Sequence, residues 1–364
     1  MIPGNKLGIL LLSRFYLGRH TFDQHTIETT YTGTNMRRVL HVGPCSTPGG
    51  MAKVIEILSK NPPEGWTAET WQSHKVGNPI VKFLHHKKML RRFRNLISTD
   101  NKPDVVHIHT AADWSWKRKA QYVKLCNSYS IPCIVHIHSG KFDQWLGSKN
   151  STNAINFRAT TNFVHCKIVV LTDGWQNSLS KIIGDCSVIN NPVDPSLKMF
   201  NVNRKVKQIA MLGRYGKVKG HEFAVELLQK LRQEYDSEIS MVMSGTKKFS
   251  VEGLECHDWI SEKEKSKLLE SSGILIIPSQ FEGQPMVMLE GMHYGLNCLV
   301  SDQIIDRPNL VKSAKYGDIE DWFNGVISII ENPSDSGQIR AALSQNRIDN
   351  INQQWHKIYH SFND

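Results

Sequence analysis

From residue 37 onward, short apolar runs alternate with segments whose apolar residues recur at helical spacing. Apolar runs of roughly four to eight residues bounded by turn residues are typical of buried strands, and the segments between them are long enough to form covering helices. The alternation therefore predicts parallel sheets with helices on both faces, an α/β fold. The strands predicted in the first half are residues 37–42, 104–109, 133–138 and 167–171, with helices over about 51–60 and 115–129.

A turn cluster, Asn190-Asn191-Pro192-Val193-Asp194-Pro195, interrupts this alternation because a helix or strand does not continue through its prolines. The alternation then restarts, with strands predicted at 208–212, 238–243 and 274–277 and helices near 221–233, 262–270 and 285–294. We therefore expect two Rossmann-like doubly wound domains facing a central cleft. The expected organisation is an irregular leader (1–36), an N-terminal domain (37–195), a C-terminal domain (196–340) and C-terminal helices (341–364) that could cross back to the N-terminal domain.

Composition restricts the expected cellular compartment and the chemical class of the protein's partners. The 364 residues are 40% hydrophobic, and no apolar stretch approaches the roughly 18 residues of a membrane-spanning helix. The apolar run at 7–12 is too short for a signal peptide. Seven scattered cysteines without a Cys-x-x-Cys pair fit a reducing cytoplasm better than a disulfide framework or a zinc–thiolate site. The formal net charge of +10 predicts an anionic partner: nucleic acid, anionic lipid headgroups or a phosphorylated small molecule.

The most informative segment follows the strand predicted at 274–277. It reads Pro278-Ser279-Gln280-Phe281-Glu282-Gly283-Gln284-Pro285-Met286-Val287-Met288-Leu289-Glu290, a loop with a carboxylate and a glycine that opens a helix with proline in its first turn. The free N–H groups of such a helix end suit phosphate or hydroxyl oxygens. Glu282 and Glu290 can accept hydrogen bonds from sugar hydroxyls. The alternative is a capped surface helix with two solvated glutamates.

A basic loop follows the strand predicted at 208–212. It reads Leu212-Gly213-Arg214-Tyr215-Gly216-Lys217-Val218-Lys219-Gly220 and leads into a helix, at the sheet edge where open α/β folds bind ligands. Arg214 and Lys219 would offset the negative charge that develops on a departing diphosphate. The alternative is a solvated basic loop.

Together these two segments resemble the retaining family 4 glycosyltransferases of the GT-B type, the glycosyl transferases group 1. The spacing of Glu282 and Glu290 is similar to the family's Glu-x7-Glu donor-site helix, and the Gly213–Gly220 segment is similar to its diphosphate-binding loop. Gly49-Gly50, after the first predicted strand, is similar to its glycine turn. The resemblance extends over about residues 37–364.

The resemblance implies roles for individual residues. Arg214 and Lys219 would bind the donor diphosphate, Glu282 the donor sugar, and Glu290 the nucleotide ribose. His138 is similar to an acceptor-side histidine near the reacting carbon. The expected catalytic residues are His138, Arg214, Lys219 and Glu282, and the expected donor-binding residues are Gly49, Gly50, Arg214, Lys219, Ile260, Glu282, Gly283, Gln284, Pro285, Met286, Val287 and Glu290.

The chain departs from the family pattern in two places. Cys256-His257-Asp258-Trp259-Ile260 lacks a glycine that often precedes the base-contacting loop, a departure that bears on the choice of base. Gln303-Ile304-Ile305-Asp306-Arg307-Pro308 replaces a glycine-rich turn and glutamate that usually follow the donor-site helix.

The function that the resemblance implies is transfer of a hexosyl-type sugar, with retention, from a UDP- or GDP-sugar to a glycan or lipid-linked acceptor. Polysaccharide or lipopolysaccharide biosynthesis is the expected setting, with no metal or other cofactor. Alternatives within the fold are a nucleotide-sugar epimerase and a phosphorylase-like enzyme. A non-catalytic anion- or membrane-binding scaffold is an alternative of another class.

Two His-x-His pairs, His107/His109 and His136/His138, offer a different chemistry. Residues two apart on a strand share a face, so neighbouring strands could gather these imidazoles around zinc, as in a metal-dependent hydrolase. No carboxylate at a strand end accompanies them. We therefore favour an arrangement in which one histidine of each pair is packed and hydrogen-bonded while the other lies near the cleft, with His138 as the cleft residue.

Residues 82–94 form a basic segment with apolar residues at helical spacing. Such a helix could lie on an anionic membrane surface, or it could pack on the first domain with its basic face solvated. No nucleic-acid-binding motif surrounds it, so nucleic acid is not an expected partner. The expected location is the cytoplasm, with peripheral attachment to the inner face of the membrane as an option.

Overall fold

A computed structural model describes residues 36–362. Of the predicted leader, only Met36 falls within the described residues. The strands are β1 (Arg37–Gly43), β2 (Trp66–Gln72), β3 (Val105–Thr110), β4 (Cys133–Ile137), β5 (Cys166–Val170), β6 (Ser187–Val188), β7 (Lys205–Met211), β8 (Ser240–Ser244), β9 (Leu254–His257), β10 (Ser272–Ile277), β11 (Asn297–Ser301) and β12 (Lys312–Ala314).

Helices connect most of these strands. They are α1 (Gly50–Lys60), α2 (Pro79–Ile97), α3 (Trp114–Ser128), α4 (Phe142–Leu146), α5 (Thr152–Thr161), α6 (Asp173–Ile183), α7 (His221–Glu234), α8 (Glu262–Ser271), α9 (Met286–His293), α10 (Ile319–Glu331), α11 (Ser336–Ala341) and α12 (Ile348–His360). Short 3-10 turns cover Lys217–Lys219 and Ser344–Asn346. No helix between residues 36 and 362 is both long and apolar enough to cross a membrane.

The strands form two six-stranded sheets. The first has the order β2-β1-β3-β4-β5-β6 and the second the order β12-β11-β10-β7-β8-β9, with every pair parallel. In each sheet the chain starts at an inner strand, β1 or β7, and winds outward to both edges, which is the doubly wound arrangement. The predicted α/β fold class with two such sheets is confirmed.

Apolar clusters cover both faces of each sheet. On one face of the first sheet, Val106 and Ile108 of β3 pack with Phe93 of α2 and Tyr122 of α3. On the corresponding face of the second sheet, Ile274 and Ile276 pack with Trp322 of α10. A third cluster extends from Val39 and Trp66 in the first sheet, through Trp355 and Tyr359 of α12, to Leu275 and Leu289 in the second. Helix α12 therefore contributes to a core that both sheets share.

Most predicted strands and helices coincide with observed ones to within a few residues. The missed elements include the edge strand β2, whose side chains are mostly exposed or half-buried and whose sequence WTAETWQ is accordingly largely polar. Helix α10 was also missed, although Trp322, Val326 and Ile329 are buried at helical spacing. Pro285 is the N-cap of α9 rather than a residue of its first turn.

Candidate active site

A cavity of about 480 Å³ lies between the carboxyl ends of the two sheets. Its walls come from the loop after β1, the loop after β7, the end of β10 and the first turns of α1, α8 and α9. Open α/β sheets bind ligands at this position, and the volume falls within the roughly 300–1,000 Å³ of small-molecule sites. The predicted site residues that line it are Gly49, Gly50, Arg214, Lys219, Ile260, Glu282, Pro285, Met286, Val287 and Glu290.

Helix α9 begins at the cavity wall. Pro285 is its N-cap, with φ −66° and ψ 123°, and no side chain caps the first turn. Pro285, Met286 and Val287 all line the cavity. The uncapped N–H groups and the positive end of the helix dipole therefore make this wall suited to an anionic or hydroxyl oxygen.

Glu290, one helical turn further along, is 3% exposed and forms an ion pair with Lys265 of α8, at 2.8 Å between Oε2 and Nζ. Burial raises the pKa of Glu290, and Lys265 opposes this shift. Burial by itself would lower the pKa of Lys265, but Glu290 and Glu262 raise it above its ordinary value. Glu290 therefore reaches the cavity paired with a lysine that the sequence analysis did not identify.

Arg214 and Lys219 stand on the loop after β7. Gly220, with φ +77°, ends this loop, and a Cβ there would come within 2.7 Å of the Pro278 carbonyl oxygen. The backbone N–H of Gly213 donates to Ser244 Oγ at 3.1 Å, and Gln280 N–H donates to Val218 O at 2.8 Å. The close approach to Pro278 requires glycine, and these bonds fix the basic loop against the loop that carries Glu282.

The four cationic side chains of the cavity differ in their partners. Lys219 pairs with Glu282, Lys265 with Glu290, and Lys53 with Asp194 at 2.7 Å. Arg214 is exposed and has no ion pair or hydrogen bond within residues 36–362. Its guanidinium lies beside Gly49, whose added Cβ would be 3.5 Å from Nη2. Arg214 is thus the cavity cation whose charge the described residues leave unneutralised.

The loop from Glu282 to Gln284 is held by residues from the first half of the chain. Gly140 contacts it so closely that a Cβ there would lie 2.2 Å from the Glu282 carbonyl carbon. Trp175 Nε1–H donates to Gly283 O at 3.0 Å, and Asn191 Nδ2–H donates to Gln284 O at 2.9 Å. The side chain of Gln284 accepts a hydrogen bond from Asn191 N–H at 2.6 Å, so it faces the turn at residues 190–195 rather than the cavity.

Three predicted site residues therefore do not line the cavity: Gly283, Gln284 and His138. The backbone of His138 lies next to Gly283, where a Cβ would be 2.6 Å from His138 O, but its imidazole joins a histidine cluster instead. Cavity residues that sequence reasoning missed include Lys53, Ser244, Glu262 and Lys265. No local pattern marks them, because each reaches the cavity from an element whose neighbours are distant in sequence.

The two His-x-His pairs belong to one cluster of histidines. Both members of each pair lie on one face of the first sheet, together with His41 of β1, because the parallel register places them side by side. Ring nitrogens of His41 and His109 are 3.0 Å apart, those of His109 and His138 2.9 Å, and those of His107 and His136 3.1 Å. Trp355 of α12 packs against His107 and His136, whereas His138, just after β4, is half-buried.

The same cluster has a spacing suitable for metal ligands. His41, His107 and His109 form one group and His109, His136 and His138 another, with ligand atoms within 4.8 Å of one another. These groups contain no carboxylate, and burial lowers the pKa of His41 and of His138 to about 3. Neutral imidazoles hydrogen-bonded to one another satisfy most of the ring nitrogens; the His136 Nε2 atom is buried without a partner among the described residues.

Helix α2 contains the basic segment 82–94. Its later part packs on the first sheet through Phe93 and Ile97, which are buried. Its first turns carry Ile80, Phe83 and Leu84, which are 69%, 57% and 60% exposed. The helix therefore combines a packed end with an exposed apolar end, and the exposed residues begin before the predicted segment.

The two doubly wound sheets and the cavity between them define the GT-B class of transferases. Residues 55–197 match the model of Glycosyltransferase Family 4, and residues 197–349 match that of Glycosyl transferases group 1. The chain belongs to this glycosyltransferase family, as the resemblance in its sequence predicted.

Individual relatives agree with this assignment. An uncharacterized glycosyltransferase of Haemophilus influenzae is 28% identical over 187 residues, covering 46% of this chain and 52% of the relative, so the match spans about half of that relative's length. The catalytic domain of starch synthase IV from Arabidopsis thaliana, solved bound to ADP and acarbose, superposes with a TM-score of 0.63 and 12% identity over 90% of this chain and 99% of that one. The apo form of the lipopolysaccharide outer core galactosyltransferase WaaB superposes with a TM-score of 0.58 and 17% identity, over 90% of this chain and 99% of that one. At these identities the structural likeness establishes the fold alone.

Proposed function

We propose that this protein transfers a hexosyl-type sugar from a nucleotide diphosphate sugar to a glycan or lipid-linked acceptor, with retention of anomeric configuration. Family membership supports the transferase class. The observation that carries the proposal is the unpaired Arg214 facing the same cavity as the uncapped N-terminus of α9. Together they provide two positive features for one anion, which is what a departing diphosphate requires.

The proposed chemistry needs no metal. The bond between the sugar C1 and the phosphate oxygen breaks, and its electron pair leaves with the nucleoside diphosphate. Arg214, Lys219 and the α9 N-terminus stabilise that charge. The acceptor hydroxyl oxygen bonds to C1 on the same face, and its proton goes to a phosphate oxygen. Glu282 and Glu290 would accept hydrogen bonds from donor hydroxyls.

The ion pair between Lys219 and Glu282 has a consequence for donor binding. For Lys219 to reach the diphosphate and Glu282 the sugar, the two side chains must separate. Both are partly exposed, and pairs of this kind contribute only about 0–1 kcal/mol. The donor can therefore replace the pair at little cost.

Donor binding is tested first by thermal shift against UDP, GDP, ADP and their sugar conjugates, with and without EDTA. A native-state ligand raises the melting temperature according to its concentration relative to its Kd. We expect one nucleotide to stabilise the protein equally in EDTA. Arg214→Ala should weaken that binding at least tenfold, whereas Lys217→Ala, an exposed cation of the same loop that does not line the cavity, should not.

Product analysis then separates the transferase from its alternatives. Incubation of the identified donor with candidate acceptors should give a glycoside whose anomeric proton coupling matches that of the donor. Release of an epimerised free sugar would favour the epimerase, and a strict requirement for inorganic phosphate would favour the phosphorylase-like enzyme. Failure of every nucleotide to bind would overturn the proposal.

We also propose that α2 brings the protein to an anionic membrane surface, where a lipid-linked acceptor would be found. Ile80, Phe83 and Leu84 are exposed next to Lys82, Lys87 and Lys88, a combination that suits insertion at an anionic interface. Phe83→Ser/Leu84→Ser should abolish co-sedimentation with phosphatidylglycerol vesicles. Equal binding of the double variant, or equal binding to purely zwitterionic vesicles, would contradict this role.

A further inference from the structure

Three histidines at the carboxyl end of β4 form the more exposed part of the histidine cluster. His109 of β3, His136 of β4 and His138, just after β4, each place one ring nitrogen within 4.8 Å of the other two. His109 lies opposite His136 in the parallel register, and His138 N–H donates to Thr110 O at 2.9 Å, so the strand pairing continues past the end of β4. His109 and His136 are buried, whereas His138 is half-buried.

One ring nitrogen of this group has no partner. His136 Nδ1 lies 3.1 Å from His107 Nε2, but His136 Nε2 is buried without a hydrogen-bond partner among residues 36–362. The ring of His136 lies 4.1 Å from that of His138, measured between centroids. A buried polar atom without a partner is costly, so this nitrogen indicates a ligand that the described chain does not itself supply.

The spacing of the nitrogens suits a small metal ion. His109 Nδ1 and His138 Nε2 are 2.9 Å apart. Two imidazole nitrogens on one tetrahedral zinc ion lie about 3.3 Å apart, because each Zn–N bond is about 2.0–2.1 Å long. A small movement of one ring would therefore exchange the proton between these two nitrogens for a metal ion.

The far nitrogens of the two buried rings are already bonded. His41 Nδ1 lies 3.0 Å from His109 Nε2, and His107 Nε2 lies 3.1 Å from His136 Nδ1. Metal-binding histidines usually have their second ring nitrogen hydrogen-bonded in this way, which fixes the nitrogen that faces the metal. The other possible group, His41, His107 and His109, is less suitable because the remaining nitrogen of His107 lies 2.9 Å from Tyr359 Oη.

We propose that His109, His136 and His138 bind one divalent transition-metal ion of the zinc type. Three imidazoles without a carboxylate suit zinc, nickel or copper, whereas magnesium and calcium prefer oxygen ligands. Burial favours the neutral imidazole, which is the form that binds a metal. The three histidines do not line the donor cavity, so the ion would have a structural role, and the transfer chemistry proposed above does not use it.

The ion would join β3 to the end of β4, next to the loop that carries Glu282. A Cβ on Gly283 would lie 2.6 Å from His138 O, and a Cβ on Gly140 would lie 2.2 Å from the Glu282 carbonyl carbon. The segment from His138 to Gly140 therefore supports that loop from outside the cavity. A metal ion on His138 would hold this supporting segment in place.

Metal titration of the full chain tests the site. The protein is freed of metal by dialysis against EDTA and titrated with Zn²⁺ by calorimetry, with Mg²⁺ as the negative probe. Titration with Co²⁺ adds a visible absorption spectrum that reports the coordination of the ion as well as its affinity. We expect one equivalent of Zn²⁺ to bind and to raise the melting temperature, and Mg²⁺ not to bind.

Variants separate the proposed ligands from other histidines. His138→Gln is the main variant, because a half-buried side chain after the strand end can be replaced with little effect on the fold, and His136→Gln is the second. His356→Gln/His360→Gln is the matched control, because these two rings lie 4.1 Å apart on α12 and offer a metal a second place to bind. Each ligand variant should weaken zinc binding by about a hundredfold or more and change the cobalt spectrum, whereas the control should do neither.

His41→Gln distinguishes the two groups of histidines. His41 contacts the far nitrogen of His109, so its replacement should weaken zinc binding by about ten- to a hundredfold and leave the cobalt spectrum unchanged. Loss of binding in His41→Gln, with native binding in His138→Gln, would assign the ion to the other group and overturn the proposal. Native binding by a folded His138→Gln, loss of binding in the His356/His360 variant, or no zinc binding by the native chain would overturn it as well.

Discussion

Glu282 and Glu290 carry the predicted donor contacts, yet their environments differ. Glu290 is almost wholly buried and depends on Lys265 for its charge, whereas Glu282 and Lys219 are both partly exposed. Breaking a buried pair leaves an uncompensated charge, while an exposed pair contributes little to stability. The pair between Lys265 and Glu290 should therefore affect the fold as well as binding, and that between Lys219 and Glu282 chiefly binding.

Lys265→Met should lower the free energy of unfolding by about 3 kcal/mol, because it leaves the Glu290 carboxylate buried without its cation. Adding Glu290→Gln in a double variant should recover most of this loss. Lys263→Met, at an exposed site of the same helix, should change stability by less than about 0.5 kcal/mol. Urea denaturation measures all three, and an equal effect of the Lys263 and Lys265 substitutions would argue against the buried pair.

Neighbouring elements determine how the two walls of the cavity meet. Gly140, just after β4, packs on the backbone of Glu282, and Gly220 packs on Pro278. Strands β1, β3 and β4 place four buried histidines side by side, and Tyr359 Oη of α12 lies 2.9 Å from Nδ1 of one of them, His107. Close backbone contacts therefore position the loops, and buried imidazoles occupy positions that apolar residues would usually fill.

Gly140→Ala should displace the Glu282 loop, because the backbone it would strike cannot yield as a flexible side chain does. Its Cβ would lie 2.2 Å from the Glu282 carbonyl carbon. We expect donor-sugar binding to fall at least tenfold, with a smaller effect on binding of the nucleotide alone, since Arg214 stands on another loop. Calorimetry with both ligands checks this. Equal loss for nucleotide and nucleotide sugar would indicate general unfolding of the cavity.

The histidine cluster should make the protein sensitive to acid. Burial lowers the pKa of His41 from 6.5 to about 3, so between these values the unfolded chain binds more protons than the folded one. The contribution of such a histidine to the free energy of unfolding is therefore complete above pH 6.5. It is lost as the pH falls toward 3, by up to about 1.4 kcal/mol per pH unit for each such histidine. Urea titrations at pH 7, 6 and 5 should show this loss, and His41→Gln should make it shallower. An unchanged slope in His41→Gln would contradict this assignment.

At the scale of the whole molecule, α12 and the turn at residues 190–195 join the two sheets. Trp355 is buried in the apolar cluster that both sheets share, and Asn346 binds the backbone of Asn191 and Val193. A shared core couples the stability of both halves. It also joins the elements that form the two walls of the cavity.

Trp355→Ala should lower the free energy of unfolding by about 3–5 kcal/mol, as expected for removal of a large buried aromatic side chain. Because the cluster spans both sheets, calorimetry should show one transition that moves to lower temperature. Two separate transitions, of which only one moves, would show that the sheets unfold independently and that α12 belongs to one of them.

The sequence by itself determined the elements and the loops that carry the chemistry. Strand and helix periodicities are local, so the α/β class and the loops at 212–220 and 278–290 were predictable from neighbouring residues. Both loops line the cavity because the carboxyl ends of parallel strands meet at one edge of a sheet. The approximate bounds of most helices were predictable for the same reason.

Only the tertiary structure decided which side chains meet. Lys265 pairs with Glu290 across 25 residues, and His41 lies beside His109 across 68, distances over which local pattern carries no information. Parallel register gathered the histidines side by side, and helix packing buried Lys119 on an otherwise apolar face of α3. Local pattern specified the backbone scaffold, whereas charge pairing and burial depend on contacts that exist only when distant elements pack together.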